Sequence, residues 1–359
     1  ICILVIFYLQ SLFMDSLIQD IRKIKDFRLT SFSGYKKSEV KKALLKAINQ
    51  NKYENAFHWC SELICSGCLL EIWILYIQYS CQNIHLGNPK IFIYLNKRLE
   101  EFRNIMRSGY SNDELQVRNN DNIRKIFVEM TTIIIMSNKK HSIQKIKIDQ
   151  PDFVITNISD KFEADHSKYV SSIFRDDDPK EIYMACNELY YHLNITNNTL
   201  KSCYWVQWIV EFEIMCKKKK IKCLCETRSF VKVDNKFLKD CVWLVWDIFL
   251  NIAKKDKLLL KIIESLVELF MVRYSSSAAN TRKLILYSGV SFITEIIDNS
   301  IPCVKDDVFL KKCIDKRNVF FKEIKKHEQK PNMEYLFSNT EQKSNLEKTI
   351  NKLDILKKM

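Results

Sequence analysis

The chain has 359 residues, a hydrophobic fraction of 47% and a formal charge of +14 at pH 7; that is enough apolar material for a large core and too much for wholesale disorder. Only five Gly and five Pro argue against turn-rich β architectures and Gly-rich phosphate loops, so an all-α fold is expected. Thirteen Cys, an odd number without regular spacing, argue against a secreted disulfide scaffold and for reduced, mostly buried thiols, which leaves the triplets at Asn157, Asn194 and Asn197 without a glycosylation role.

Residues 1–13, ICILVIFYLQSLF, are apolar but shorter than the ~20 residues of a usual membrane span. They lack a basic signal-peptide region, so Met14 is expected to be the true start, with 1–13 read from an upstream frame. Helical patterning begins at about Asp15. Val40, Ala43, Leu44, Ala47 and Ile48 recur at helical spacing. Tyr53 to Ser66 forms a second amphipathic run that stops at Gly67, a helix C-cap. Leu69 to Tyr79 is apolar almost all round, which predicts a buried helix. Pro89 opens another run to Arg107, and a further helix is predicted from Asn120 to Met136.

Between Asn138 and Pro179 the pattern dissolves into short patches and an acidic triplet, Asp176 to Asp178. The triplet reads as a helix start, with Asp178 as N-cap, Pro179 at N1 and Glu181 at N3, in preference to a metal-binding carboxylate cluster. Further on, Trp205, Trp208, Ile209, Phe212 and Cys216 share one helical face. Apolar runs at Cys241–Ala253, Leu258–Tyr274 and Thr281–Ile297 predict helices packed as antiparallel neighbours. One charged helix is expected from Pro302 to about Lys326. The implied organisation is an upstream segment (1–13), an N-terminal helical module (14–137), an irregular connector (138–179), a C-terminal helical domain (180–328) and a charged mobile tail (329–359).

Neither G-x-x-x-x-G-K-[ST] nor a strand-following G-x-G-x-x-G is present. His58, His85, His141, His166, His192 and His327 have no partner at motif spacing, so no catalytic residue and no cofactor is assigned. The segment CKKKKIKCLCETR, Cys216 to Arg228, concentrates positive charge at the end of an aromatic helix. Lys217, Lys218, Lys219, Lys220, Lys222 and Arg228 are the expected phosphate contacts, sequence-blind and salt-sensitive, with Lys232, Lys236 and Lys239 extending the patch. Lysines at a helix end also complement its dipole, and an AT-rich genome yields Lys-rich chains, so the charge alone does not name the partner. Cys216, Cys223 and Cys225 offer three thiolates but no adjacent fourth ligand, and Cys65-x-x-Cys68 sits in an apolar context; no metal is assigned.

The stretch KAINQNKYENAFHWCSELICSG, closing as SCQNIHLGNP at Pro89, resembles the C-terminal helical oligomerisation region of the RarA/MgsA ATPases, a clamp-loader-related family. Trp59, Gly67, Ile84, Asn88 and Pro89 carry the resemblance over residues 46–89. It implies a collar-like packing and self-association module without the ATPase engine. The family's acidic Ser-Glu-Asp is here Cys81-Gln82-Asn83, and its Arg-Arg pair is missing, so an ion-pairing or DNA-facing role does not carry over. From Tyr35 to Ile297 the chain also looks like an uncharacterised protein family of nucleocytoplasmic large DNA viruses. Together these resemblances imply a non-enzymatic accessory or scaffold of viral DNA replication, recombination or repair. Its expected partners are nucleic acid and either further copies of itself or a replication complex, with no membrane, in the host cytoplasm or nucleus. A virion or assembly protein is the alternative, and an enzyme on an unrecognised helical scaffold the second.

Overall fold

The computed structural model describes residues 13–109, 113–140, 146–275 and 277–329. Residues 1–12 of the expected upstream segment, His141 and the expected tail from 330 onward lie outside them. Among the described residues there are fourteen helices and no strand or sheet, so the fold is all-α. No helix among these residues is long and apolar enough to cross a membrane.

Helix formation does not begin at Asp15. Only a short turn ends at Ser16, and up to Lys36 the chain adds one 3-10 turn, Ile24–Phe27, and a bridge between Thr30 and Lys36. Side chains of the second long helix and the turn after it hold this segment in place. Buried Glu62 accepts from the Ser33 amide (2.6 Å) and hydroxyl (2.8 Å), and Ser66 Oγ accepts from the Phe32 amide at 2.8 Å. The first long helices are α1 (Lys37–Asn49), α2 (Tyr53–Cys65) and α3 (Leu69–Tyr79). Asn51 and Gly67, with φ of 54° and 69°, turn the chain after α1 and α2. At Gly67 the amides of Gly67 and Cys68 bond back to Ile64 and Leu63, both at 2.9 Å, which is the Schellman pattern. A Cβ there would collide with the Ile24 side chain.

Past Tyr79 the helix widens into a π-turn, Ser80–Ile84, then tightens into a 3-10 turn, His85–Gly87. Next come α4 (Ile91–Arg107), α5 (Glu114–Asn119) and α6 (Asp121–Met136). Asn120 caps α6, its side chain accepting from the Ile123 amide at 3.0 Å. Trp73, Phe102 and Phe127 meet at ring separations of 5.8–6.0 Å where α3, α4 and α6 converge.

The connector is folded against α7 (Tyr183–Asn194) and α8 (Thr199–Lys219). Phe162 stacks on Trp205 at 5.5 Å, and Trp208 donates to the Asp152 carbonyl at 2.7 Å. Buried Glu188 accepts from the Glu163 and Ala164 amides (2.9 and 3.0 Å), and Asn187 bonds both the Tyr169 amide and the His166 carbonyl. A buried carboxylate and amide thus take up backbone groups that a sheet or helix would otherwise pair. Asp178 is not a helix N-cap. A 3-10 turn, Lys180–Ile182, precedes α7, and the Asp178 carboxylate is turned inward to Arg228.

The remaining helices are α9 (Val242–Ala253), α10 (Lys257–Phe270), α11 (Ala278–Thr281), α12 (Lys283–Thr294), α13 (Asp307–Asp315) and α14 (Arg317–Lys325). Buried α12 packs against α7, α8, α9, α10 and the π-turn. Its Gly289 makes that approach fit: a Cβ there would stand 2.8 Å from the Phe249 ring. Ser288 Oγ donates to the Cys81 carbonyl at 3.0 Å, which anchors the widened turn.

The stretch after Pro302 forms two helices, α13 and α14, broken at Lys316. Both return to the N-terminal half: α13 packs on α6 and α14 on α2, through Tyr53, Phe57, Phe309 and Phe320. Buried Arg124 of α6 lies 4.1 Å from the Phe321 ring centroid and bonds Ser16 and Asn119. One hydrophobic cluster runs from Ile18 to Ile324, so packing continues across the expected boundary at 138–179.

Candidate polyanion-binding surface

The basic segment stands at the end of α8. That helix is 21 residues long, is capped by Asn198 and buries Trp205, Trp208, Ile209, Phe212 and Cys216. It ends because Lys220 takes the left-handed conformation (φ 57°), with the Ile221 amide bonding back to the Cys216 carbonyl at 2.9 Å. This is the same closing pattern as at Gly67, with a lysine where glycine is usual. Successive helical residues point about 100° apart, so the four lysines fan out instead of sharing a face.

Lys217 is exposed but ion-paired, and so is not a free cation. Its ammonium lies 2.7 Å from Glu213 and 2.9 Å from Asp240, whose other oxygen accepts from Tyr274 Oη at 2.8 Å. Burial, with neighbouring Asp240, pushes the Glu213 carboxyl up to about 7.

Arg228 is not a phosphate contact either. Its side chain is fully buried, with Nη1 and Nη2 each 2.6 Å from Asp178 and Nε 3.1 Å from Asp247. Burial acts to raise the Asp178 carboxyl, but the guanidinium and the Arg175 and Glu226 amides hold it below the usual carboxylate range. This pair joins the connector to the loop beyond α8.

The remaining lysines do face solvent. Lys218, Lys219, Lys220 and Lys222 are exposed, and none forms an ion pair among the described residues. Lys239 joins them, because the Cys225 amide bonds the Lys239 carbonyl at 2.9 Å and lays the two segments side by side. Lys232 and Lys236 are drawn away to Glu268 (3.2 Å) and Asp234 (3.5 Å). Exposed Ile221 and Leu224 sit among the lysines, while Trp205 and Trp208 are buried and offer no stacking platform.

Beneath the tip lie Cys216, Cys223, Cys225 and a further thiol, Cys241, that spacing along the chain does not indicate. Among the described residues no three metal-ligating groups are placed to hold a metal ion.

The residues expected to mediate oligomerisation divide by exposure. Gly67 closes α2. Ile84 and Pro89 are buried, and Asn88 donates to Ser137 Oγ (2.9 Å) and the Cys303 carbonyl (3.0 Å). Ile84, Asn88 and Pro89 therefore pack the monomer and present no surface to a second copy, while Gly67 is half-buried. Trp59 is half-buried, edge-on to the exposed Tyr35 ring at 5.6 Å.

Elsewhere, His192 lines a cavity of about 380 Å³ with Trp205, Lys161 and Lys201. Contrary to the reading from motif spacing, it has partners on its own chain segment: Glu188 at 3.5 Å and Thr196 Oγ1 at 3.1 Å. Glu188 is the same carboxylate that anchors the connector. No family model, no curated protein and no solved structure matches this chain.

Proposed function

We propose that this protein is a non-enzymatic accessory or scaffold that holds nucleic acid against the tip formed by Lys218, Lys219, Lys220, Lys222 and Lys239. The observation that supports this reading is the exposure of these five lysines, none of which has a carboxylate partner among the described residues. Cations arranged this way bind phosphates by counterion release, without reading sequence. The resemblances of residues 46–89 and 35–297 would set that activity in viral DNA replication, recombination or repair, with Trp59 as the accessible residue for self-association.

The test is fluorescence anisotropy on duplex and single-stranded oligonucleotides across a salt series. Five phosphate contacts give a log K against log salt slope of about −4.5 on duplex. Replacing the five lysines by Gln is expected to abolish most of that slope. Unchanged affinity and slope would remove the tip as the binding surface.

A further inference from the structure

The thiols beneath the tip include a pair set directly opposite one another. The Cys225 amide donates to the Lys239 carbonyl at 2.9 Å and draws the two segments together. Two residues further along each segment, Cys223 faces Cys241. The two sulfurs stand 3.5 Å apart, and Cys241 Sγ lies 3.7 Å from the Cys223 carbonyl. Both thiols are buried, Cys241 completely at the start of α9 and Cys223 with 5% exposure between the exposed side chains of Lys222 and Leu224.

We propose that Cys223 and Cys241 form a site of reversible thiol oxidation, closed to a disulfide by low-molecular-weight disulfides of the glutathione class. Cys223 is the attacking sulfur, because it alone of the pair keeps some exposure and both its chain neighbours reach solvent. The hydrogen bond from Cys241 holds its thiol below the ordinary cysteine value, while Cys241 is held well above it. The Cys223 thiolate attacks one sulfur of glutathione disulfide, whose S–S bond breaks. A mixed disulfide forms and one glutathione thiolate leaves and takes up a proton. The Cys241 sulfur then attacks the Cys223 sulfur and expels the second glutathione, whose thiolate takes up the Cys241 proton. Two protein thiols are oxidised and one glutathione disulfide is reduced to two thiols. The bond staples the basic tip to the start of α9. The inference does not depend on what the tip binds.

The test uses the native full-length protein in glutathione buffers of increasing oxidation. The expected result is a loss of two hydrogens in intact mass, and a tryptic cross-link between the 223–228 and 240–254 peptides with fragmentation assigning Cys223. The thermal midpoint should rise by about 5 °C on oxidation, and by nothing in Cys241→Ser. Thiols that stay reduced until denaturant is added, or a cross-link through Cys216 or Cys225 instead, would overturn the proposal. Peptide mapping of wild type decides the matter even if Cys241→Ser does not fold.

Discussion

Replacing Asp178 by Asn changes one atom in a carboxylate that is fully buried against Arg228. Wild-type Arg228 has two 2.6 Å bonds to Asp178, one to the Glu226 carbonyl and a longer one to Asp247. Asn keeps the shape but leaves the guanidinium with a single, partly exposed counter-charge, and the Arg175 and Glu226 amides lose the ionised acceptor that both use. Breaking a buried pair from one side costs roughly 3–5 kcal/mol, a large part of the ~5–15 kcal/mol that holds a typical domain folded.

Urea unfolding followed by tryptophan fluorescence measures that loss, compared at constant m-value. The double replacement Asp178→Leu with Arg228→Met should recover most of it, since no uncompensated charge remains. Because Asp178 titrates lower folded than unfolded, its contribution is complete above the unfolded value near 3.8 and disappears as pH falls through the folded value. A loss below ~1 kcal/mol for Asp178→Asn, or a double variant as weak as the sum of the singles, would refute a buried, mutually dependent pair. So would an Arg228→Met protein that stays folded but loses salt-dependent polyanion binding.

Other replacements test separate parts of the structure. Glu213 titrates near 7 folded against 4.5 unfolded, so its contribution to stability is complete below 4.5 and is lost as pH rises through 7. Glu213→Gln should therefore match wild type near pH 4.5 and exceed it by up to about 3 kcal/mol at pH 8.5 in urea titrations; equal stability across that range would count against the buried carboxyl. Gly67→Ala forces a side chain onto a left-handed residue and into Ile24, and should lower stability by roughly 1–3 kcal/mol in the same assay. Gly289→Ala, pressed onto Phe249 in the middle of the core, should cost about 1–3 kcal/mol. For the lysine tip, Lys218→Gln with Lys219→Gln should reduce the salt slope of oligonucleotide binding by about 2 and leave the urea midpoint unchanged.

What the sequence alone determined is most of the longer helices and several of their ends. α3 runs from Leu69 to Tyr79 as its apolar run indicates, α6 begins one residue past the expected Asn120, and Gly67 closes α2. These features repeat every 3.6 residues or rest on a single cap, so a short window of residues contains their cause. Part of the tip was also legible, since Glu213 lies one helical turn before Lys217. The partners that change a residue's meaning were not. Arg228 meets a carboxylate 50 residues away, Cys223 a thiol 18 residues away, and α14 the first hairpin of the chain. Asp178 looks like a cap beside Pro179, and local chemistry favours that role. A buried guanidinium overrides it, because leaving either charge unpaired in the core costs several kcal/mol while a cap is worth about one. Only the meeting of faces in the folded chain decided which lysines find a carboxylate, which cation is buried and which sulfurs touch.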